Sequence, residues 1–179
     1  MAEKQKSELK KIVLGGGCFW CTEAVFRLFK GIVKATVGYS GGTTKNPTYE
    51  QICNANTGHV EVLELEYDPK EISLEKIMDI FFTMHDPTSL NKQGADIGTQ
   101  YSSAVYYTEE SQKKEIYEFI KTNQKNFDKP IVTEVKKLEV FYPAEKYHQN
   151  YYANNQNQPY CSVVIGQKIH KVKKKYGLE

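Results

Sequence analysis

A chain of 179 residues, with 40% hydrophobic and 26% charged side chains, is long enough to bury one substantial core, so we expect a single domain over residues 1–179. Its 24 Lys and Arg against 22 Asp and Glu leave a net charge of +2, which argues against nucleic acid or a membrane surface as a partner. The sequence has neither a membrane-spanning apolar run nor a secretory signal at residues 1–11. We therefore expect a cytoplasmic protein with reduced cysteines.

The first informative stretch is GGGCFWC at residues 15–21. It follows the apolar run 12–14, which is typical of a buried strand, and precedes apolar residues at helical spacing. Cys18 therefore lies where a strand becomes a helix. The glycines give the turn conformational freedom and leave room for another molecule to approach, while the helix N-terminus favours a thiolate at Cys18. The alternative is a tight turn with a buried structural cysteine.

Two strands are predicted next, separated by a long loop. Residues 32–40 alternate, with Val33, Ala35, Val37 and Tyr39 on one face. Residues 41–58 are rich in Gly, Thr and Asn and are expected to lack regular structure; loops of this length are usually functional. In the strand 59–67, a period of two places Glu61 on the apolar side, in register with Leu63, Leu65 and Tyr67.

The second half begins with the clearest amphipathic helix of the chain. Ser73 can cap a helix that carries Leu74, Ile77, Met78 and Phe81 at i, i+3, i+4 and i+7. A polar loop to residue 100, a strand at 101–107, a helix at 109–123 and a strand at 131–141 follow. Beyond Pro143 we expect an irregular wrap over the core, and then a mobile lysine-rich tail.

The order strand-helix-strand-strand-helix-strand predicts the fold class. It is the order of a ferredoxin-like split βαβ core, in which helices cover one face of a mainly antiparallel sheet. We therefore expect an α+β protein with long loops and an irregular C-terminal wrap.

The pair Cys18 and Cys21 has the spacing that brings two side chains of a helix together, so a disulfide between them is sterically possible. Cys21 also begins the apolar stripe of its helix, so a core role stays open. A structural zinc site would need a second pair of ligands, whereas Cys53 and Cys161 are isolated. A phosphate-binding loop is excluded, because no Gly-Lys-Ser/Thr follows the glycines.

Four motifs, in order along nearly the whole chain, carry a family resemblance. They are GCFW at 17–20, GHxE at 58–61, QGxDxGTQY at 93–101 and FYPAExYHQ at 141–149. Together they resemble the A-type peptide methionine sulfoxide reductases.

The resemblance implies a role for each matching residue. Cys18 would be the nucleophile, Glu61 the acid, and Tyr49 and Tyr101 hydroxyl donors to the sulfoxide oxygen. Phe19 and Trp20 would form the apolar pocket for the substrate methyl group, with Asp96 as a supporting residue of the site. His59 and His148 are interpreted as structural.

The chemistry of the residue types agrees with these roles. A sulfoxide becomes electrophilic when its oxygen is protonated, and a glutamate that faces an apolar surface keeps its proton near neutral pH. From the pattern alone, Glu61 could equally be an exposed strand residue, Tyr49 and Tyr101 packing residues, and Asp96 a turn residue.

The recycling thiol is the point where the sequence departs from many relatives, because no cysteine follows Cys161. We interpret Cys161 as structural and favour Cys21 as the resolving cysteine, with Cys53 in reserve.

The expected function is the reduction of methionine S-sulfoxide, free or in proteins, by a monomer. The cycle would pass through a Cys18 sulfenic acid and end with thioredoxin or a similar dithiol, with no cofactor or metal. The rival hypotheses are a thioredoxin-like disulfide oxidoreductase and a zinc-stabilised binding module.

Overall fold

The computed structural model describes residues 7–54 and 57–178. Within them, no helix has the length and apolar character that crossing a membrane requires. The strands are β1 (Lys10–Gly16), β2 (Ile32–Ser40), β3 (Val60–Tyr67), β4 (Lys92–Gln93), β5 (Asp96–Ile97), β6 (Ser103–Tyr107), β7 (Glu134–Lys137) and β8 (Phe141–Pro143).

Six of these strands form one sheet in the order β7-β6-β1-β3-β2-β8, and β4 and β5 form a separate hairpin. All neighbours in the large sheet are antiparallel except β6 and β7, which are parallel. The expected α+β class with a mainly antiparallel sheet is confirmed.

The α-helices are α1 (Phe19–Phe26), α2 (Tyr49–Cys53), α3 (Leu74–Met84), α4 (Glu110–Asn123), α5 (Tyr151–Asn154) and α6 (Gly166–Tyr176). Short 3₁₀ turns lie at Thr99–Tyr101, Gln124–Asn126 and Lys146–His148, and a π-helical turn at Cys161–Ile165 leads into α6. Ser73 caps α3 as predicted, because its side chain accepts a hydrogen bond from the backbone N–H of Lys76.

The sheet separates two apolar clusters. The larger contains the inward side chains of β1, β2 and β3 packed against α1 and α3, and it includes Leu63, Leu65 and Tyr67. The smaller lies on the opposite face around Val13, Val62 and Tyr106. Glu61 lies two residues before Leu63 and therefore shares the face of the larger cluster, so the predicted register of β3 is correct.

The predicted face of β2 is wrong at its first member. Ala35, Val37 and Tyr39 are buried, but Val33 is 56% exposed. The pairing of β2 with β3 shifts between Ile32 and Lys34, and such a bulge reverses the facing of the residues before it.

The loop 41–58 contains a helix that the composition concealed. Residues 49–53 form α2, which begins with a reciprocal capping box: the side chain of Thr48 accepts from Gln51, and Gln51 accepts from the backbone of Thr48. The Thr-x-x-Gln spacing was the available signal. Likewise, the polar loop before residue 100 contains the β4–β5 hairpin.

The predicted strand 131–141 is two strands on opposite edges of the sheet. β7 pairs with β6, and β8 pairs with β2, so the chain between them crosses the sheet. Leu138 and Phe141 pack there against the smaller apolar cluster. The sequence shows no break because both halves are extended.

The C-terminal tail is helical and packed, rather than mobile as expected. Val172 of α6 is fully buried, and the Tyr176 ring packs edge-on against Phe29. The Tyr176 hydroxyl also hydrogen-bonds with Asp79 of α3. Few apolar residues, spaced one per turn among lysines, are sufficient to anchor this helix.

Candidate active site

The turn between β1 and α1 places Cys18 immediately before the helix, as predicted. Gly17 has φ of +90°, which favours glycine. A Cβ on Gly16 would lie 2.6 Å from the Phe81 ring, and one on Gly17 would lie 2.9 Å from the Gln93 side chain. The expectation that the glycines leave room for another molecule is therefore wrong, since the protein's own side chains occupy that space.

Cys18 and Cys21 occupy the N-cap and third positions of α1, which face each other as in a capping box. Burial raises the pKa of the Cys18 thiol well above its ordinary value, and the neighbouring Cys21 raises it further. This shift is opposite in direction to the thiolate expected at Cys18 from the helix N-terminus. The Cys18 thiol lowers the pKa of Cys21 to about 7.

Glu61 lies on β3 next to the start of α1. Its side chain is 2% exposed, and Oε2 accepts a hydrogen bond of 3.2 Å from the backbone N–H of Phe19. Burial raises the pKa of Glu61 to about 8, although that hydrogen bond opposes the shift. The carboxyl group is therefore an acid that keeps its proton at neutral pH, beside the peptide unit of Cys18.

Tyr49, at the start of α2, and Tyr101, in a 3₁₀ turn, both lie near enough to Glu61 to be affected by its charge. Both are half-buried, and burial together with the charge of Glu61 raises the pKa of each phenol. Their hydroxyl groups stay protonated across the physiological range and can donate hydrogen bonds.

Phe19 and Trp20 belong to a cluster of rings that we call the aromatic cluster, formed by Phe19, Trp20, Tyr49 and His148. Phe19 is 1% exposed and lies beneath the others, whereas Trp20 is half-buried. The ring of Tyr151 covers one face of Trp20 at 3.7 Å between centroids and an angle of 7°.

Asp96 contacts the cysteine pair through a residue that the sequence reasoning missed. The hydroxyl of Tyr160 donates a 2.7 Å hydrogen bond to Asp96 Oδ2 and lies 3.9 Å from Cys21 Sγ. Asp96 therefore orients the Tyr160 hydroxyl toward Cys21, the candidate resolving cysteine.

The remaining cysteines differ in access. Cys53 is exposed at the end of α2, and Cys161 is fully buried near Cys21; all four cysteines are free thiols. Within the described chain, no three His, Cys, Asp or Glu side chains are grouped so as to hold a metal ion.

A cleft of about 940 Å³ lies next to this arrangement. Asp96 and Tyr160 line one side of it, and Lys168 and Lys171 of α6 line another. Cys18, Glu61 and Trp20 are absent from its lining, so the cleft adjoins the site on the Cys21 side and is separate from the aromatic cluster.

The site residues that could not be predicted from the sequence lie in the C-terminal wrap, where the sequence has little periodicity. The only signals were the FYPAExYHQ motif and the density of tyrosines. These residues are Glu145, His148, Tyr151 and Tyr160.

A buried cysteine pair beside a carboxylic acid that keeps its proton defines a thiol-dependent reductase of an oxygen-bearing group. A family model described as peptide methionine sulfoxide reductase matches residues 10–178. A relative from Nautilia profundicola, named peptide methionine sulfoxide reductase MsrA, is 52% identical over 163 residues, covering 91% of this chain and 94% of its own.

Solved structures are also similar to this chain. Mxr1 from Saccharomyces cerevisiae in reduced form is similar with a TM-score of 0.82 and 34% identity, over 89% of this chain and 92% of that one. Mxr1 in complex with Trx2 is similar with a TM-score of 0.59 and 27% identity, over 84% and 89%. The chain belongs to the A-type peptide methionine sulfoxide reductases.

Proposed function

We propose that the protein reduces methionine S-sulfoxide, free and in proteins, with Cys18 as the nucleophile. The observation that carries this proposal is the buried Glu61, whose pKa is raised to about 8 beside the backbone of Phe19. A protonated carboxyl group at this point supplies the proton that makes a sulfoxide reactive.

In the proposed reaction, the Cys18 sulfur attacks the sulfoxide sulfur while Glu61 gives its proton to the sulfoxide oxygen. The OH group then passes to the Cys18 sulfur as both the newly formed sulfur–sulfur bond and the sulfur–oxygen bond of the sulfoxide break, and methionine leaves with its sulfur reduced by two electrons. Cys18 retains the oxygen as a sulfenic acid, and the proton that its thiol lost returns Glu61 to the acid form. The proposed steps use no cofactor or metal.

The surrounding residues bind the two ends of the sulfoxide group. Tyr49 and Tyr101 donate hydrogen bonds to the oxygen, because both keep their protons and lie near Glu61. Trp20 contacts the methyl group, with Phe19 beneath it. Asp96 supports the site through its hydrogen bond from Tyr160.

Cys21 is the proposed resolving cysteine. Its thiol attacks the Cys18 sulfenic acid, which releases water and forms a disulfide. Its position at N3 of α1, facing Cys18 at the N-cap, supports this role. Thioredoxin or a similar dithiol reduces the disulfide, by analogy with Mxr1, which was solved in complex with Trx2.

We assign the four strands β6-β1-β3-β2 with α1 and α3 to a ferredoxin-like core, on the basis of their antiparallel order. Residues 1–179 are proposed to form one domain that acts as a monomer. The cytoplasm is the proposed compartment.

Turnover of a methyl sulfoxide with dithiothreitol tests the proposed function. We expect the parent protein to reduce methionine S-sulfoxide, and Cys18→Ser to have no activity above the reaction without protein. Reduction of a protein disulfide by the parent, with no sulfoxide turnover, would instead favour a disulfide oxidoreductase.

A further inference from the structure

His148 lies at the centre of the aromatic cluster. It is 0% exposed, and its ring centroid is 4.3 Å from that of Tyr49, 5.2 Å from Phe19 and 5.7 Å from Trp20. Burying the two polar nitrogens of a histidine costs free energy that an apolar ring of the same size would not, so hydrogen bonds to these nitrogens are expected.

The hydrogen bonds of His148 fix its tautomer. The indole N–H of Trp20 donates to His148 Nδ1 at 3.1 Å, and an indole can only donate. Nδ1 therefore carries no proton, and the proton of the neutral ring is on Nε2. Burial lowers the pKa of His148, which agrees with a neutral ring.

The Nε2–H group faces a second residue of the same motif. It has no hydrogen-bond partner among the described residues, and the Oε2 atom of Glu145 lies 3.8 Å away. That carboxylate is itself fixed: it accepts from the backbone N–H of Tyr49 and from the hydroxyls of Tyr39 and Tyr147, each at 3.2 Å.

Two hydrogen bonds and one 3.8 Å contact between His148 and Glu145 thus form a polar chain from Trp20 to Tyr49. Its two ends belong to different elements, since Trp20 is on α1 and Tyr49 begins α2. In the proposed function, these ends bind opposite sides of the sulfoxide group, the methyl carbon and the oxygen.

We propose that His148, acting with Glu145, is a positioning residue that sets the distance between the Trp20 and Tyr49 walls of the substrate site. This inference rests on the proposed function. Burial of a single methyl group is a small and non-directional contribution, so selective binding of a methyl sulfoxide depends on holding both walls at the correct separation.

The test uses His148→Phe, which keeps a ring of similar size but removes the acceptor for the indole. Because Trp20 is the only tryptophan of the sequence, the fluorescence of the protein reports on the surroundings of this one indole. We expect the emission of Trp20 to shift to shorter wavelength, and KM for methionine S-sulfoxide to rise roughly fivefold to tenfold with a smaller change in kcat.

His148→Gln is the conservative variant, because its amide oxygen can accept from the indole, and we expect it to recover part of both effects. His170→Phe, on the exposed side of α6, is the control for the same chemical change and should match the parent. Thermal unfolding identifies any variant that does not fold. If His148→Phe fails to fold, Glu145→Gln tests the same chain from the Tyr49 side, with Glu50→Gln as its exposed control.

Unchanged Trp20 emission and unchanged KM in folded His148→Phe would overturn the inference, as would equal KM values for Glu145→Gln and the parent. A parent protein without sulfoxide turnover would remove the proposed function instead. The emission of Trp20 in His148→Phe would then still show whether the hydrogen bond to His148 positions the Trp20 indole.

Discussion

The carboxyl group of Glu61 is buried, and one backbone N–H, that of Phe19, stabilises its charged form. Burial is the larger effect, so the pKa rises to about 8 and the acid form prevails below that pH. As pH increases through 8, Glu61 loses the proton that the reaction needs. The activity of the acid is therefore present at neutral pH and declines on the alkaline side.

Replacing Glu61 with Gln tests whether Glu61 is the acid of the reaction. The amide keeps the shape but has no titrating proton, so we expect single-turnover reduction to slow by roughly 10²–10⁴-fold. The parent rate should fall above pH 8, and the variant should lack this limb. Rapid-quench measurement of methionine across pH 6–9 checks both expectations.

Alkylation of Cys18 by iodoacetamide serves as the control, since that reaction needs no acid and should proceed in both proteins. Equal single-turnover rates of parent and Glu61→Gln over the whole pH range would remove Glu61 from the mechanism.

At the scale of the element, the turn from β1 into α1 needs glycines, because neighbouring side chains leave no room for a Cβ atom. Gly17 has a positive φ, and any Cβ there would collide with Gln93. Gln93 is itself held by two hydrogen bonds to the backbone of Asp86, so it cannot easily withdraw.

Gly17→Ala should therefore destabilise the protein by about 1–3 kcal/mol and reduce sulfoxide turnover, because the position of Cys18 depends on this turn. Gly166→Ala in α6 is the matched control: its Cβ would lie 3.6 Å from the Cys161 carbonyl, an ordinary contact, in a helical conformation. We expect that control to be neutral or slightly stabilising. Urea unfolding measures both, and equal midpoints for the two variants would contradict this interpretation of the turn.

Periodicity was sufficient to predict β2, β3 and α3, because each is a regular element of eight or more residues with an apolar face toward the larger cluster. It failed for the segment 131–141, where two strands at opposite edges of the sheet are joined by an extended crossing. A period-two pattern describes local facing and contains no information on the pairing partner. It also missed α6, whose anchoring depends on contacts with α3.

At the scale of the whole molecule, the site combines residues from both ends of the chain. The positions of Cys18 and Glu61 could be predicted from the sequence because turn position and strand register decide where they lie, whereas the role of Trp20 was implied by the family resemblance. The positions of Tyr160 and His148 could not be predicted, since only the folding of the C-terminal wrap over α1 brings them to the cysteines and Trp20.

The redox cycle also belongs to the whole molecule, because the second thiol must be one that the fold brings to Cys18. Cys21 faces Cys18 at the start of α1, whereas Cys53 is on α2 and Cys161 is buried beside Cys21. Local geometry therefore favours a Cys18–Cys21 disulfide as the species that thioredoxin reduces.

The most direct measurement is the amount of methionine released from methionine S-sulfoxide without any reductant, followed by peptide mapping of the oxidised protein. We predict one equivalent of methionine per enzyme from the parent and from Cys21→Ser, and none from Cys18→Ser. The parent should carry a Cys18–Cys21 disulfide, and Cys21→Ser a Cys18 sulfenic acid. No methionine release from the parent would contradict reduction at Cys18, and a bridge from Cys18 to Cys53 or Cys161 would contradict Cys21 as the resolving cysteine.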